Sequence, residues 1–117
     1  MSPDDLIRLR HMADAAALAM EFARGRERAE LDRDAMLRLA LTRAVEIVGE
    51  AASKVSAEAR QGLEKVAWAA IVGMRNRLVH AYFDVDVDQL WMVVIRDLPE
   101  LLKQLQPFIE KPEEGAG

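Results

Sequence analysis

The sequence has no cysteine and few residues that interrupt helices, with four prolines and six glycines among 117 residues. Without cysteine there is no disulfide scaffold, no thiolate metal site and no cysteine nucleophile, and a reducing compartment is the simplest expectation. No window approaches the run of about 18 apolar residues that a membrane span requires. The N-terminal MSPDDLIRLR is acidic and polar, whereas a signal peptide is basic and then apolar. We therefore expect a soluble, cytoplasmic protein with no membrane partner.

Positive charge is also scarce, because 16 lysines and arginines face 20 acidic residues, for a net charge of −4. As an average, this balance argues against a nucleic-acid partner, since phosphate binding depends on lysine and arginine. A hydrophobic fraction of 51% with a small net charge excludes a disordered chain. The length is that of one compact domain. We expect residues 1–110 to form a single domain and residues 111–117 to form a flexible tail.

The chain is rich in residues that favour helices, and its glycines and prolines lie largely at the ends of the predicted helices and in the connections between them. The pattern predicts an all-α fold, an up-and-down bundle of four main helices plus a short connecting helix. The first predicted helix begins after the N-cap Ser2 and ends near Gly25. The second covers residues 34–55, and a short helix capped by Ser56 covers residues 57–63. The third covers residues 65–83, and the fourth begins after Asp86 and is interrupted at Pro99.

Two details of these helices predict how they pack. In the second helix, Gly49 lies mid-helix, where glycine costs about 1 kcal/mol relative to alanine. Its presence there indicates the close approach of another helix. In the first helix, apolar residues at spacings of three and four form a stripe that should face the core: Leu6, Leu9, Ala13, Ala16, Ala17 and Met20.

The segment 74–84, MRNRLVHAYFD, concentrates polar side chains on a helix whose earlier part is apolar. On a regular helix, Arg75 and His80 diverge by about 140°, while Tyr82 lies on the same strip as Arg75. Three arrangements reconcile Arg75 with His80: the arginine wraps round the helix, the last turn distorts, or the two residues cooperate across a symmetric dimer. The polar or titratable side chains of the segment are Arg75, Asn76, Arg77, His80 and Tyr82.

The same segment is locally basic, because residues 70–83 contain two arginines, a histidine and no acid, which the net charge conceals. Arginine and histidine without a carboxylate partner favour phosphoryl chemistry, since guanidinium matches phosphate oxygens and imidazole exchanges protons near neutral pH. RNA supplies its own nucleophile, the 2′-hydroxyl, so this pair could cleave RNA without a metal ion. Taken alone, a histidine near a helix C-terminus is more simply explained as a partner of the terminal carbonyls.

The run RNRLVHAY at 75–82 resembles the Arg-x4-His-x-Tyr signature of the HEPN superfamily, and specifically of the HepT-like toxins. The resemblance extends to LTRAVEIVGEAASKVS at 41–56, to WAAIVGMRNRLVHAYFDVD at 68–86, and to Trp91 with DLPELL at 97–102, in the same order and with similar spacing. It covers most of residues 36–105, whereas the N-terminal third matches only in pattern.

The resemblance implies an all-α homodimer that acts as a metal-independent ribonuclease on RNA, with no cofactor and no bound metal. It implies that Arg75 and His80 are the catalytic residues, with Asn76 and Arg77 in support. It further implies that a MntA-type nucleotidyltransferase antitoxin modifies Tyr82 with AMP and silences the toxin. Added bulk and negative charge beside a phosphate-binding arginine would account for the silencing.

Two other functions remain open at this point. Related HEPN-like helical proteins serve as non-catalytic nucleotide- or substrate-binding partner subunits of minimal nucleotidyltransferases, and there the same side chains would hold phosphates without chemistry. A degenerate interaction domain is the other possibility, although an intact arginine, histidine and tyrosine argue against decay. Growth arrest on expressing the protein alone would favour the toxin, and indifference would favour the binding subunit.

Two groups of carboxylates are expected to be structural or solvated. Asp84, Asp86 and Asp88 alternate just before a predicted helix start, which is typical of capping and dipole complementation and not of a metal site. Glu46 and Glu50, one helical turn apart, are expected to be solvated.

Overall fold

Helices account for about three quarters of the residues whose structure is described, which confirms the all-α fold. The computed structural model describes residues 1–81 and 84–110. In chain order the elements are α1 (Pro3–Ala23), α2 (Glu30–Arg33), α3 (Ala35–Ser53), α4 (Ala57–Gln61), α5 (Trp68–Val72), α6 (Met74–Leu78), β1 (Val79–Ala81), β2 (Asp84–Val85), α7 (Val87–Met92), a π-helical turn (Val93–Asp97) and α8 (Leu98–Ile109). The short antiparallel hairpin β1–β2 is an element that the sequence pattern did not predict.

The core is built where α1 packs against α3 and α8. Alanines along α1 carry no side chain beyond Cβ, so Ala16 and Ala19 are completely buried and let the helices come close. The predicted stripe is correct for Leu9, Ala13 and Ala16, whereas Ala17 is exposed. The largest side chains with essentially no exposed surface are Leu9, Met12, Leu31, Leu41, Leu78, Leu90, Leu98 and Leu105.

The three predicted N-caps are confirmed, which shows that the helix starts are decided locally. The hydroxyls of Ser2 and Ser56 each accept a hydrogen bond at 3.1 Å from the backbone N–H three residues on. Asp86 Oδ1 accepts one from the Gln89 N–H, also at 3.1 Å. Such bonds satisfy N–H groups that a helix leaves free at its N-terminus. Gly25, just after α1, has a φ of 73°, a left-handed conformation that glycine adopts without strain.

The fourth predicted helix is interrupted near Pro99, as expected. Pro99 is the second residue of α8, and the π-helical turn joins α7 to α8 directly before it. Proline lacks a backbone N–H and is best tolerated in the first turn of a helix. The proline therefore marks the start of a new helix.

The third predicted helix, over residues 65–83, is wrong in its bounds. The chain forms two short helices there, α5 and α6, which meet at Gly73. It leaves the helical conformation at Val79, where φ is −105° and ψ is 105°. Beyond the hairpin, the Asp86 N–H donates to the Leu78 carbonyl at 2.8 Å. The returning chain therefore satisfies the end of α6 in place of a further helical turn.

A buried carboxylate ties the start of α1 to the start of α4. Asp5 is 7% exposed, and it accepts hydrogen bonds from the Ser56 N–H at 2.8 Å, the Ser56 hydroxyl at 2.7 Å and the Ser2 hydroxyl at 3.0 Å. The bonds from Ser56, foremost that of its backbone, hold the pKa of Asp5 below its ordinary value because they stabilise the charged form. The connection joins two N-caps that are far apart in sequence.

None of the helices within the described residues is long and apolar enough to cross a membrane. The predicted tail, residues 111–117, lies outside those residues.

Candidate functional site

The segment that carries the predicted site residues is held against α3 by a close backbone approach at Gly49. A Cβ atom at Gly49 would lie 3.3 Å from the Ile71 carbonyl oxygen, closer than the roughly 3.5–4.0 Å of ordinary van der Waals contact. Glycine therefore allows α3 and α5 to approach closely, as the sequence predicts. Because α5 leads directly into α6, this contact also sets how α3 lies beside the site residues.

Arg75 is bound by a carboxylate of α3. Its Nε–H donates to Glu46 Oε2 at 2.8 Å, and the side chains of Arg75 and Glu46 are 53% and 21% exposed. The expectation of a solvated Glu46 is therefore wrong, as is the premise that the arginine has no carboxylate partner. Glu50, by contrast, is exposed as expected and pairs with Arg43 at 3.2 Å.

Glu46 is the residue of the site that the sequence analysis missed. It lies 29 positions before Arg75, so no local pattern connects the two. One indirect signal was present, because Glu46 comes one helical turn before Gly49, on the same face of the helix. The close approach inferred at Gly49 could have marked that face as the one that meets the site residues.

His80 lies just beyond the end of α6, in β1, and is exposed. The chain leaves the regular helix before His80, which corresponds to the second of the three arrangements, a distorted last turn. The divergence of about 140° between Arg75 and His80 holds only for a regular helix and does not apply here. The chain that returns from the hairpin brings Asp86 back to the end of α6, where its N–H donates to the Leu78 carbonyl at 2.8 Å. Hydrogen bonds from Gln89, chiefly from its backbone, hold the pKa of Asp86 below its ordinary value, and positive charge on His80 adds to this effect. A carboxylate therefore lies near the imidazole as well as beside the guanidinium.

Asn76 and Arg77 are both exposed, and Arg77 lies on a different side of α6 from Arg75. The Arg77 Nη2 donates to the Ala70 carbonyl at 3.2 Å. Arg77 also lines two clefts, one of about 280 Å³ beside α8 and one of about 260 Å³ beside α7 and the π-helical turn. Arg75 thus faces α3, whereas Arg77 faces α7 and α8.

Two of the three alternating aspartates, Asp86 and Asp88, make structural contacts. Asp86 caps α7, which confirms the capping interpretation for that residue. Asp88 accepts a hydrogen bond from Arg28 Nε at 2.6 Å, which ties the segment before α2 to α7. Within residues 1–81 and 84–110, no three histidine, aspartate or glutamate side chains come together in a way that could hold a metal ion.

Tyr82, the predicted modification site, falls between β1 and β2 in sequence and lies outside the described residues. A cleft of about 650 Å³ lies between the chain joining α4 to α5 and the end of α8, where Lys65, Lys103 and Phe108 are among its lining residues. Among the described residues, none of the predicted site residues lines this cleft.

Comparison with known proteins assigns most of the chain to one family. The family model described as Ribonuclease HepT-like matches residues 12–108. A protein of Caldanaerobacter subterraneus subsp. tengcongensis named as a candidate RNase is 33% identical over 103 residues, which cover 88% of this chain and 92% of the relative. A protein of Thermococcus cleftensis named as a candidate ribonuclease HepT is 36% identical over 93 residues, which cover 80% of this chain and 84% of the relative.

A third relative, from Methanocaldococcus jannaschii and also named as a candidate RNase, is 34% identical over 93 residues, which cover 80% of this chain and 85% of the relative. No solved structure matches the chain.

Proposed function

We propose that this chain, which belongs to the Ribonuclease HepT-like family, cleaves RNA with Arg75 and His80 as its catalytic residues. The observation that carries the proposal is the end of α6 at Leu78, after which the chain is extended. Arg75 on the last helical turns and His80 on the strand are both exposed and separated by only this junction. An exposed guanidinium and an exposed imidazole at one junction suit a phosphodiester substrate.

The chemistry that such a pair supports is attack by the 2′-hydroxyl on the adjacent phosphorus. A base removes the 2′-hydroxyl proton, the 2′-oxygen bonds to phosphorus, and the bond from phosphorus to the 5′-oxygen breaks. The 5′-oxygen leaves with a proton from an acid, and the products are a 2′,3′-cyclic phosphate and a 5′-hydroxyl. His80 serves in the proton transfers, and Arg75 stabilises the negative charge that develops on the phosphate oxygens. No step requires a metal ion.

We also propose that the active species is a homodimer that pairs through the region around α5. α5 consists of five apolar residues, WAAIV. Trp68 and Ile71 are half-buried against the core, whereas Ala69, Ala70 and Val72 are exposed. An exposed apolar face on α5 fits a protein–protein interface better than contact with water. A two-fold axis beside α5 would bring both copies of Arg75 and His80 into one cleft.

The third element of the proposal concerns control. We propose that the protein is a toxin silenced by a nucleotidyltransferase antitoxin that attaches AMP to Tyr82, two residues beyond His80 in sequence. Intact-mass measurement of the protein expressed with and without the transferase tests this directly. A mass increase of one or more AMP units that disappears in Tyr82→Phe is expected. The same increase in Tyr82→Phe would show that another residue is modified.

RNA cleavage in the presence of EDTA tests the catalytic assignment. His80→Ala should fold and dimerise normally but lower the cleavage rate by about 10²–10⁴-fold, the usual contribution of a general acid or base. The matched control is His11→Ala, since His11 is the other histidine of the chain and is exposed on α1. Cleavage by His80→Ala at the wild-type rate would refute the assignment. Normal growth of cells expressing the wild-type protein alone would favour the non-catalytic binding subunit.

A further inference from the structure

We infer that Glu46 is the positioning residue for Arg75: it holds the guanidinium by its Nε–H and leaves the Nη groups to face the phosphate of bound RNA. This inference rests on the proposed function and adds to it a residue outside the motif. It starts from the one hydrogen bond that joins α3 to the Arg75 side chain, at 2.8 Å between Nε and Oε2.

The guanidinium has five N–H donors in a planar fork, one on Nε and four on the two Nη atoms. Glu46 occupies the Nε–H. Within the described residues the Nη groups of Arg75 donate to no protein atom, and the side chain is 53% exposed. A phosphate can accept two parallel hydrogen bonds from such a fork. With Nε engaged, the edge available for that contact is the one formed by the two Nη groups.

The helix that carries Glu46, α3, lies tightly against α5 at Gly49. Glu46 is only 21% exposed, so its carboxylate has little room to take other positions. A long arginine side chain loses rotamer freedom when it is fixed in one geometry. Here that loss occurs when the protein folds, and less ordering remains for the step in which RNA binds.

The charge and the hydrogen-bond acceptor of Glu46 act in opposite directions. The acceptor orients Arg75, which favours catalysis, whereas the negative charge repels the phosphate and weakens binding. Glu46→Gln keeps an acceptor and removes the charge, so it should lower KM and leave kcat within about threefold of the wild-type value. Glu46→Ala removes both, so Arg75 is no longer oriented and kcat should fall by about 10–100-fold.

Glu50 provides a matched control on the same helix. It lies one turn beyond Glu46 and pairs with Arg43 at 3.2 Å, and both side chains of that pair are more than half exposed. Glu50→Ala and Glu50→Gln therefore remove the same atoms or the same charge from α3 without touching Arg75. Both variants should cleave RNA with the wild-type kcat.

The first measurement is steady-state cleavage of a single-stranded RNA oligonucleotide of mixed sequence by the full chain and the four variants, after circular dichroism has established that each is folded. A split in which Glu46→Ala loses kcat and Glu46→Gln retains it supports the inference. Equal kcat values for Glu46→Ala and Glu50→Ala would overturn it and would leave the assignment of Arg75 and His80 intact.

The second measurement does not depend on cleavage. The Arg75 Nε–H resonance, assigned by its loss in Arg75→Lys, is followed by NMR while inorganic phosphate is added. We expect the resonance to respond to phosphate in the wild type and in Glu46→Gln, and to be shifted and unresponsive in Glu46→Ala. If the wild-type protein cleaves no RNA, the proposed function fails and this titration still decides the role of Glu46. A resonance that ignores phosphate in the wild type, or behaves identically in Glu46→Ala, overturns the inference.

Discussion

Replacing Gly49 with valine tests whether the close approach of α3 and α5 requires glycine. A Cβ atom there would lie 3.3 Å from the Ile71 carbonyl oxygen and 3.8 Å from that of Val72. Glycine mid-helix costs about 1 kcal/mol relative to alanine, and a β-branched residue recovers only part of that. Overpacking of a tight contact costs about 1–3 kcal/mol. Because the obstructing atoms are backbone carbonyls, the overpacking cost should exceed the propensity gain, and Gly49→Val should lower the free energy of unfolding by about 1–3 kcal/mol.

Urea unfolding followed by circular dichroism, at several protein concentrations so that any dimer dissociation is recognised, measures this change. Gly62→Val is the control, since a Cβ at Gly62 would lie 3.5 Å from the Ala59 carbonyl oxygen, an ordinary contact, and its φ is −76°. The control should change stability by no more than about 0.5 kcal/mol. Unchanged stability in Gly49→Val, or an equal loss in both variants, would refute the argument that the α3–α5 contact demands glycine.

Two further predictions concern the core and the buried carboxylate. Leu41 has no exposed surface, so Leu41→Ala should lower the free energy of unfolding by about 2–5 kcal/mol. Leu39 is 49% exposed, so Leu39→Ala should change the free energy of unfolding by less than about 0.5 kcal/mol. Urea titration measures both changes. Since the folded-state pKa of Asp5 lies below 3.8, its stabilising contribution is present at neutral pH and is lost as the pH falls through that lowered value. Thermal denaturation across acidic pH should therefore show a weaker pH dependence in Asp5→Asn and in Ser56→Ala than in the wild type.

The electrostatics of the site are milder than its sequence indicates. Residues 70–83 contain two arginines, a histidine and no acid, but folding brings Glu46 to Arg75 and Asp86 near His80. Both carboxylates lie outside residues 70–83. A partly neutralised site on a protein of net charge −4 suits contact with RNA at one small place, with a modest dependence on salt, more than extended coating of the backbone.

Much of the fold could be predicted because its signals are local. The helix N-caps accept hydrogen bonds from N–H groups three residues away, as seen for Ser2, Ser56 and Asp86. Such short separations make N-caps predictable from the sequence. The interruption at Pro99 follows from the missing N–H of proline. The prediction that Arg75 and His80 are catalytic also came from sequence alone, because both lie in one short run that resembles a family signature.

The errors at the site concern contacts between residues that no helical pattern connects. The end of α6 could not be predicted, since the Leu78 carbonyl is satisfied by the N–H of Asp86, which returns from a hairpin. Local helix propensity therefore extended the predicted helix too far. The status of Glu46 was wrong for the same reason, because its partner lies 29 positions away on another helix.

By itself, then, the sequence determined the all-α class, the helix starts, the family resemblance and the run that contains Arg75 and His80, since each depends on residues that are near one another along the chain. Only the tertiary structure decided which carboxylate binds Arg75, on which side Arg77 lies, and where the helix before His80 ends. Those features depend on how α3 packs against the motif segment, and packing is set by shape and by the satisfaction of buried polar groups across the whole core.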